Sequence, residues 1–112
     1  ALENADKVYA QIQEKFDYAA TYAVWKRASI NHQINPDVKR GRALPYYQKY
    51  IEMIAPKEDK TTAESNKLVT AYTYLAVHYI QNDKKEEAKA NAAKLLEIKP
   101  DDQNGLQIMN LK

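Results

Sequence analysis

The sequence predicts an all-α fold in which about six helices stack as antiparallel pairs, an arrangement called an α-solenoid. Three observations predict it. The 112 residues, a length that fits one domain, include only two Gly and four Pro and are rich in strong helix formers. Apolar residues recur at helical spacing in six segments. Similar helices return after about 38 to 45 residues, a period typical of helix-pair arrays.

Apolar spacing and chain breakers predict three helices in the first half of the chain, at about residues 2–16, 18–33 and 42–55. The second of these carries two adjacent apolar stripes, so it needs neighbours on two sides. Pro36 and Gly41 interrupt the chain after it. Pro45 fits the first turn of the third helix, where a missing N–H does no harm, and Pro56 ends that helix.

The same signals predict three helices in the second half, at about residues 61–81 and 83–99 and from about residue 101. Thr61 and Glu64 have the spacing of a capping box, in which a hydroxyl and a carboxylate satisfy free backbone N–H groups. Pro100 ends the fifth helix. The short sixth helix has an apolar face made of Leu106, Met109 and Leu111.

Three of the predicted helices are alike in sequence. They begin at Ala5, Ala43 and Ala88 and read ADKVYAQIQEKF, ALPYYQKYIEMIAP and AKANAAKLLEIKP. Each follows a helix or a chain end, and another helix follows each. The repeating unit is therefore a helix pair, and a series of such pairs builds a solenoid.

The segment from Tyr72 to Pro100 resembles a tetratricopeptide repeat. The family's large, small, aromatic and apolar positions are matched without a gap by Tyr72, Leu75, Ala76, Tyr79, Ala88, Ala92, Leu95 and Pro100. Small residues such as Ala76 and Ala88 let the two helices of one pair approach closely. The resemblance implies a right-handed superhelical stack in which the first helix of each pair lines a concave face.

The resemblance divides the chain, read as a single domain of residues 1–112, into four parts. The second helix of an incomplete repeat covers residues 1–16, and a divergent repeat covers residues 17–56. A well-matched repeat covers residues 61–100, and a capping helix covers residues 101–112. In the divergent repeat the turn NHQINPDVKRG is two or three residues too long. Either Ala28 or Ser29 is its small packing residue. The chain is interpreted as a mature protein or a fragment of a longer one.

Composition excludes several classes of site. There is no Cys, so disulfides and thiolate metal sites are excluded. A net charge of +2 with interleaved Lys and Glu argues against nucleic-acid binding, and no apolar run suits direct membrane insertion. His32 and His78 lack metal-site spacing, and the acidic pairs suit helix starts. We therefore predict no catalytic residue, no cofactor and no metal, and no enzyme activity.

The candidate site is a groove on the concave face. The register of the resemblance assigns to it Tyr22, Trp25, Lys26, Ser29, His32, Thr70, Thr73, Tyr74, Val77 and Gln81. Some family members grip a C-terminal carboxylate there, but Ser29 and Val77 stand where that clamp needs Asn. A groove of Thr, Tyr, Val and Trp is better suited to an amphipathic helix or an extended peptide. Trp25 and Tyr74 are expected to serve binding without supporting the fold.

The leading functional prediction is a non-catalytic scaffold module that binds a protein or peptide partner in this groove. One alternative is a ligand-binding accessory domain, with aromatic rings that stack on glycans. Another is a structural spacer or oligomerisation segment. The sequence names neither the partner nor the oligomeric state. The repeats resemble divergent ones from cell-envelope proteins of Gram-negative bacteria, which implies the periplasm or cell envelope.

Overall fold

A computed structural model describes residues 1–112, and the chain forms six α-helices without strands. They are α1 (Leu2–Lys15), α2 (Ala20–Ile34), α3 (Leu44–Ile54), α4 (Thr62–Gln81), α5 (Lys85–Ile98) and α6 (Gln103–Met109). A single 3-10 turn, Asp17–Ala19, leads into α2. The predicted all-α class is confirmed, and the first five predicted helices agree with these bounds to within two residues at each end.

The helix starts have local causes. The predicted capping box is present, because the Thr61 hydroxyl accepts a hydrogen bond from the Glu64 amide at 3.0 Å and the Glu64 carboxylate accepts one from the Thr61 amide at 2.8 Å. The Asp102 carboxylate caps α6 by accepting from the Gly105 amide at 2.9 Å. Pro45 lies in the first turn of α3.

Each helix packs against the next one in the chain, and the molecule measures 44 × 33 × 17 Å. The alternate helices α2, α4 and α6 lie side by side, with α4 in contact with α6 and with side chains of α2. No helix is long and apolar enough to cross a membrane. The division of the chain into incomplete, divergent and well-matched repeats stays a prediction.

Three buried clusters hold the stack together. The first joins α2 to α5 through Val24, Tyr50, Ile54, Leu68, Tyr72 and Leu95. The second joins α2, α3 and α4 through Ala28, Ala43, Tyr47, Ala71, Tyr74 and Leu75. The third joins α4, α5 and α6 through Ala76, Ala88, Ala92 and Ile108. Burial of these apolar side chains supplies the main favourable term for folding.

The small packing residue of α2 is Ala28. Its side chain is fully buried, in the cluster that also contains Ala43 of the turn before α3 and Ala71 of α4. Ser29 is only half-buried. Ala28 and Ser29 point in directions about 100° apart on the helix. With Ala28 as the buried packing residue, Trp25, Ser29 and His32 lie on the stripe nearest α4.

A polar network joins α1 to α2 and α3. The Arg27 guanidinium donates to both carboxylate oxygens of Asp6, at 2.9 and 3.4 Å, and to the side-chain oxygen of Gln13 at 3.1 Å. Asn31, which is 2% exposed, donates to Asp6 and accepts from Arg42. No pattern in the sequence indicates this network, because Asp6 and Asn31, which are hydrogen-bonded directly, are 25 residues apart.

Candidate functional site

A depression lies between α2 and α4. The two helices approach through long side chains, since the Lys67 ammonium is 5.6 Å from the Trp25 ring centroid and the His32 and Tyr74 rings meet edge-on at 5.7 Å. The space enclosed is about 290 Å³. It is lined by His32, Val38, Tyr47, Thr70, Thr73, Tyr74 and Val77. Half of the ten predicted groove residues are therefore brought together here.

A second depression of about 190 Å³ lies between α4 and α6. Its lining is apolar and amide-bearing, formed by Val77, Ile80, Gln81, Asn104, Gln107 and Ile108. Val77 borders both depressions, and Gln81 belongs to the predicted groove. The two depressions, with α2, α4 and α6 as their walls, are called the groove below.

Four predicted residues lie outside these depressions, namely Tyr22, Trp25, Lys26 and Ser29. Tyr22 is 55% exposed and turns toward α1, where its ring meets Tyr9 at 6.1 Å. The neighbouring Tyr22 hydroxyl raises the pKa of Tyr9. Lys26 extends over the Tyr22 ring, with 5.9 Å between its ammonium and the ring centroid. Ser29 is half-buried on α2, within one turn of both Trp25 and His32.

Trp25 and Tyr74 support the fold. The Trp25 ring packs 5.6 Å from Tyr47 and 4.9 Å from Tyr50, and it contacts two of the buried clusters. Tyr74 is 7% exposed and stacks on Tyr47 at 4.7 Å. The expectation that these two residues serve binding without supporting the fold stays a prediction, but the Tyr74 ring is buried in the core and the partly buried Trp25 ring packs against it.

Two buried polar atoms at the first depression have no hydrogen-bond partner. They are the Tyr74 hydroxyl and Nδ1 of His32. Burial raises the pKa of Tyr74, although the nearby Ala43 amide acts in the opposite direction. That amide does not reach normal hydrogen-bond geometry with the hydroxyl. A buried unpaired polar group costs about 1–3 kcal/mol, so a ligand that paired with these atoms would recover part of this cost.

The long turn between α2 and α3 supplies one wall of the site. Val38 lines the depression, and its carbonyl oxygen is 2.7 Å from Nδ1 of His78 on α4. Asn82 donates to the Lys39 carbonyl at 2.9 Å. Gly41 has a φ of +71°, and a Cβ there would lie 2.7 Å from the His78 ring. The extra residues of this turn are therefore folded onto α4 and shape the groove.

Sequence reasoning missed Val38 and Tyr47, which line the depression but belong to no first helix. The excess length of the turn was the available signal for Val38. Tyr47 gave none, because a buried tyrosine on a second helix is ordinary core packing. No three His, Asp or Glu side chains converge on one point. Thr, Tyr, Val and His side chains can offer apolar contact and single hydrogen bonds.

The stacked helix pairs and the groove across alternate helices define a helical-repeat fold. The chain is similar to the C-terminal part of a TPR repeat-containing protein from Cytophaga hutchinsonii, whose crystal structure matches with a TM-score of 0.85 at 27% identity. The match covers 98% of this chain and 41% of the other. The predicted tetratricopeptide-repeat resemblance is thereby confirmed. No protein-family model matches the chain, and no curated protein matches it.

Proposed function

We propose that the protein is a non-catalytic interaction module that binds a peptide or helix of a partner protein along the groove. Folds of this kind are generally non-catalytic scaffolds and commonly bind proteins. The observation that carries the proposal is the first depression. Residues of two helices about 40 positions apart surround an apolar space and leave two buried polar atoms unpaired. Apolar surface with a few placed polar groups is typical of a binding site.

Val77 is the residue on which to test the proposal. It borders both depressions, so any segment that lies along the groove crosses it. Thr70 is exposed at the rim of the first depression. Val77 is half-buried and Thr70 is exposed, so an arginine side chain at either position has room to extend into the groove and fill it. Such changes leave the buried rings of Trp25 and Tyr74 in place.

The experiment selects binders from a library of random peptides of about 12 residues and measures their affinity by fluorescence anisotropy. Val77→Arg and Thr70→Arg are each expected to weaken binding by about tenfold or more, because they occupy the groove. Ala93→Arg, at an exposed position on α5, is the matched control and should leave affinity unchanged. If Val77→Arg and Thr70→Arg bind the peptides as tightly as the Ala93→Arg control does, the peptides bind elsewhere. Circular dichroism verifies that each variant is folded.

One observation favours the spacer or oligomerisation hypothesis. The apolar residues Leu2, Val8 and Phe16 of the first helical segment are 37–54% exposed. Sedimentation at increasing protein concentration tests whether copies of the chain associate through these residues. A protein that stays monomeric at every concentration and selects no peptide would favour a spacer. The glycan hypothesis has less support, since the Tyr74 ring is buried and the Trp25 ring packs on Tyr47 and Tyr50 with the Lys67 ammonium over it. Flat oligosaccharide titrations of Trp25 fluorescence would count against it.

A further inference from the structure

The last helix of the molecule contains an Asn–Gly pair, Asn104 and Gly105. Asn104 is the only one of the eight asparagines of the chain that is followed by glycine. Asparagine is a thermolabile residue because its side-chain amide is lost by deamidation. The reaction begins when the backbone nitrogen of the next residue attacks the side-chain carbonyl carbon. A following glycine favours the attack, since it has no side chain to hinder it and its backbone is the least restricted.

The glycine lies where α6 packs closely against α5. Gly105 is buried, and a Cβ added to it would lie 2.9 Å from Cδ2 of Leu96 and 3.2 Å from Cδ2 of Leu95. This close approach leaves little room for a side chain at the position. The packing of the two helices therefore accounts for a glycine directly after Asn104.

The folded helix withholds the attacking nitrogen. The backbone N–H of Gly105 donates to the Asp102 carboxylate at 2.9 Å, in a buried hydrogen bond. Ring closure requires that this N–H lose its proton and that the ψ angle of Asn104 leave the helical range, so that the nitrogen faces the side chain. Both changes break the cap that Asp102 provides. The cap of α6 therefore also protects Asn104 from deamidation.

This protection depends on a short helix. The helix α6 has seven residues, and an isolated helix of that length is not stable in water. Gly105 and Ile108 are its buried residues, while Leu106 and Met109 are 38% and 39% exposed. A short element with few buried side chains opens locally at a lower free energy than the whole domain.

We propose that Asn104 is a site of spontaneous deamidation and that the Asp102 cap controls its rate, because the residue reacts only when α6 opens. The Gly105 nitrogen then loses its proton to the solvent and bonds to the side-chain carbonyl carbon of Asn104. The bond from that carbon to the side-chain nitrogen breaks, and the nitrogen takes up a proton and leaves as ammonia. Water opens the resulting cyclic imide at either of its carbonyl groups and gives aspartate or isoaspartate.

The product changes the depression between α4 and α6. Asn104 lines that depression together with apolar and amide-bearing side chains, and no charged residue lines it. Either product places a carboxylate there. Isoaspartate also routes the backbone through the side-chain carbon, which lengthens the chain and moves Gly105 away from Asp102. Aged protein thus presents an altered wall in the groove. The modification itself does not depend on the proposed function.

Peptide mapping by mass spectrometry follows each asparagine during incubation at neutral pH and physiological temperature. In denaturant Asn104 should react faster than every other asparagine, and in the folded wild type it should react at least about tenfold more slowly than in denaturant. Asp102→Ala removes the cap and should accelerate the folded-state reaction by about fivefold, with no change in denaturant. Asp101→Ala removes the adjacent exposed carboxylate and is the matched control, which should react like wild type.

Two further measurements separate capping from charge and from global unfolding. Asp102→Asn keeps a side-chain oxygen that accepts from the Gly105 N–H, so it should react more slowly than Asp102→Ala. Wild-type protein in urea below its unfolding transition requires no variant. Its rate at Asn104 should rise before the circular dichroism signal of the domain is lost, because α6 opens locally.

Three results would overturn the proposal. Folded wild type that reacts as fast as the denatured chain would show that α6 gives no protection. Equal rates in folded Asp102→Ala and Asp101→Ala would show that the cap does not control the reaction. A faster reaction at another asparagine of the denatured chain would remove Asn104 as the preferred site. If Asp102→Ala does not fold, the urea series decides, and a rate that rises only with global unfolding counts against opening of α6.

Discussion

The helices α1 and α5 each pack against a longer neighbour, α2 and α4 respectively, but they are attached by different means. The contact of α5 is made by Ala88, Ala92 and Leu95, all fully buried. In α1 no residue is buried, and a central contact is the ion pair between Asp6 and Arg27, whose side chains are 17% and 19% exposed. One junction is dry and closely packed, and the other is polar and partly open to water.

The physical reason for the difference is residue size. Alanines at the contact let two helix backbones approach and exclude water, which gives dispersion contacts along the whole length. Arg27 is a long charged side chain, and it is satisfied by Asp6, Gln13 and Tyr46, whose ring centroid lies 4.5 Å from the guanidinium. The hydrogen bond with Asp6 raises the pKa of Arg27. Partly exposed ion pairs contribute modestly to stability, so α1 should be the more weakly held helix.

The largest expected effect is at the dry junction. Leu95→Ala removes a fully buried side chain and should lower the free energy of unfolding by about 2–5 kcal/mol. Ile12→Ala is its counterpart on α1, at a half-buried position, and should cost about 1 kcal/mol. Urea unfolding followed by circular dichroism measures both. Equal losses would contradict the comparison and show that α1 is packed as firmly as α5.

Overpacking the same junction is expected to have the second largest effect. Ala88→Phe places a ring where α4 and α5 are in contact and should cost about 1–3 kcal/mol. Ala90→Phe, on the exposed face of the same helix, is the control and should change stability by less than about 0.5 kcal/mol. Wild-type stability in Ala88→Phe would mean that the α4–α5 contact has been assigned to the wrong face of the helix.

The polar junction should respond less. Arg27→Met keeps apolar contact with Tyr46 but leaves Asp6 with Asn31 as its remaining side-chain partner, so we expect a loss of about 1–2 kcal/mol. Lys49→Met breaks only an exposed ion pair with Glu52 and should be neutral within about 0.5 kcal/mol. If Arg27→Met lowers the free energy of unfolding as little as Lys49→Met does, the network contributes no more to stability than an exposed ion pair.

The smallest expected effect is the pH dependence of the α4 start. The hydrogen bond from Lys57, followed by that from the Thr61 amide, lowers the pKa of Glu64 below its ordinary value of 4.5. A lowered pKa contributes stability that is present above pH 4.5 and is lost as the pH falls through the folded-state pKa.

Glu64→Gln should therefore be less stable than the wild type at neutral pH, and the difference should shrink as the pH falls below about 4.5. Thermal unfolding at about pH 7 and about pH 3 measures this difference. Glu58→Gln, at an exposed position in the preceding loop, controls for loss of a carboxylate. A difference between Glu64→Gln and wild type that is the same at both pH values would contradict the role of the Glu64 carboxylate in the capping box.

The candidate site was partly predictable. Thr70, Thr73 and Val77 were assigned to the groove by the register of the family resemblance, and they line the first depression. The burial of Tyr74 was not predictable, since it depends on Tyr47 and on a turn folded onto α4 by His78. The choice between Ala28 and Ser29 depended in the same way on Ala43 and Ala71, which join Ala28 in one buried cluster only in the folded chain.

The sequence by itself determined the six helices, the ends of the first five to within two residues and their pairing into a stack, because apolar spacing, prolines and the Thr61–Glu64 capping box act within a few residues. Tertiary structure alone decided how α1 is attached and which side chains the groove presents. Arg27 and Asp6 are 21 residues apart, and His78 and Val38 are 40 apart. Contacts at such distances depend on the packing angles of whole helices, which no local pattern specifies.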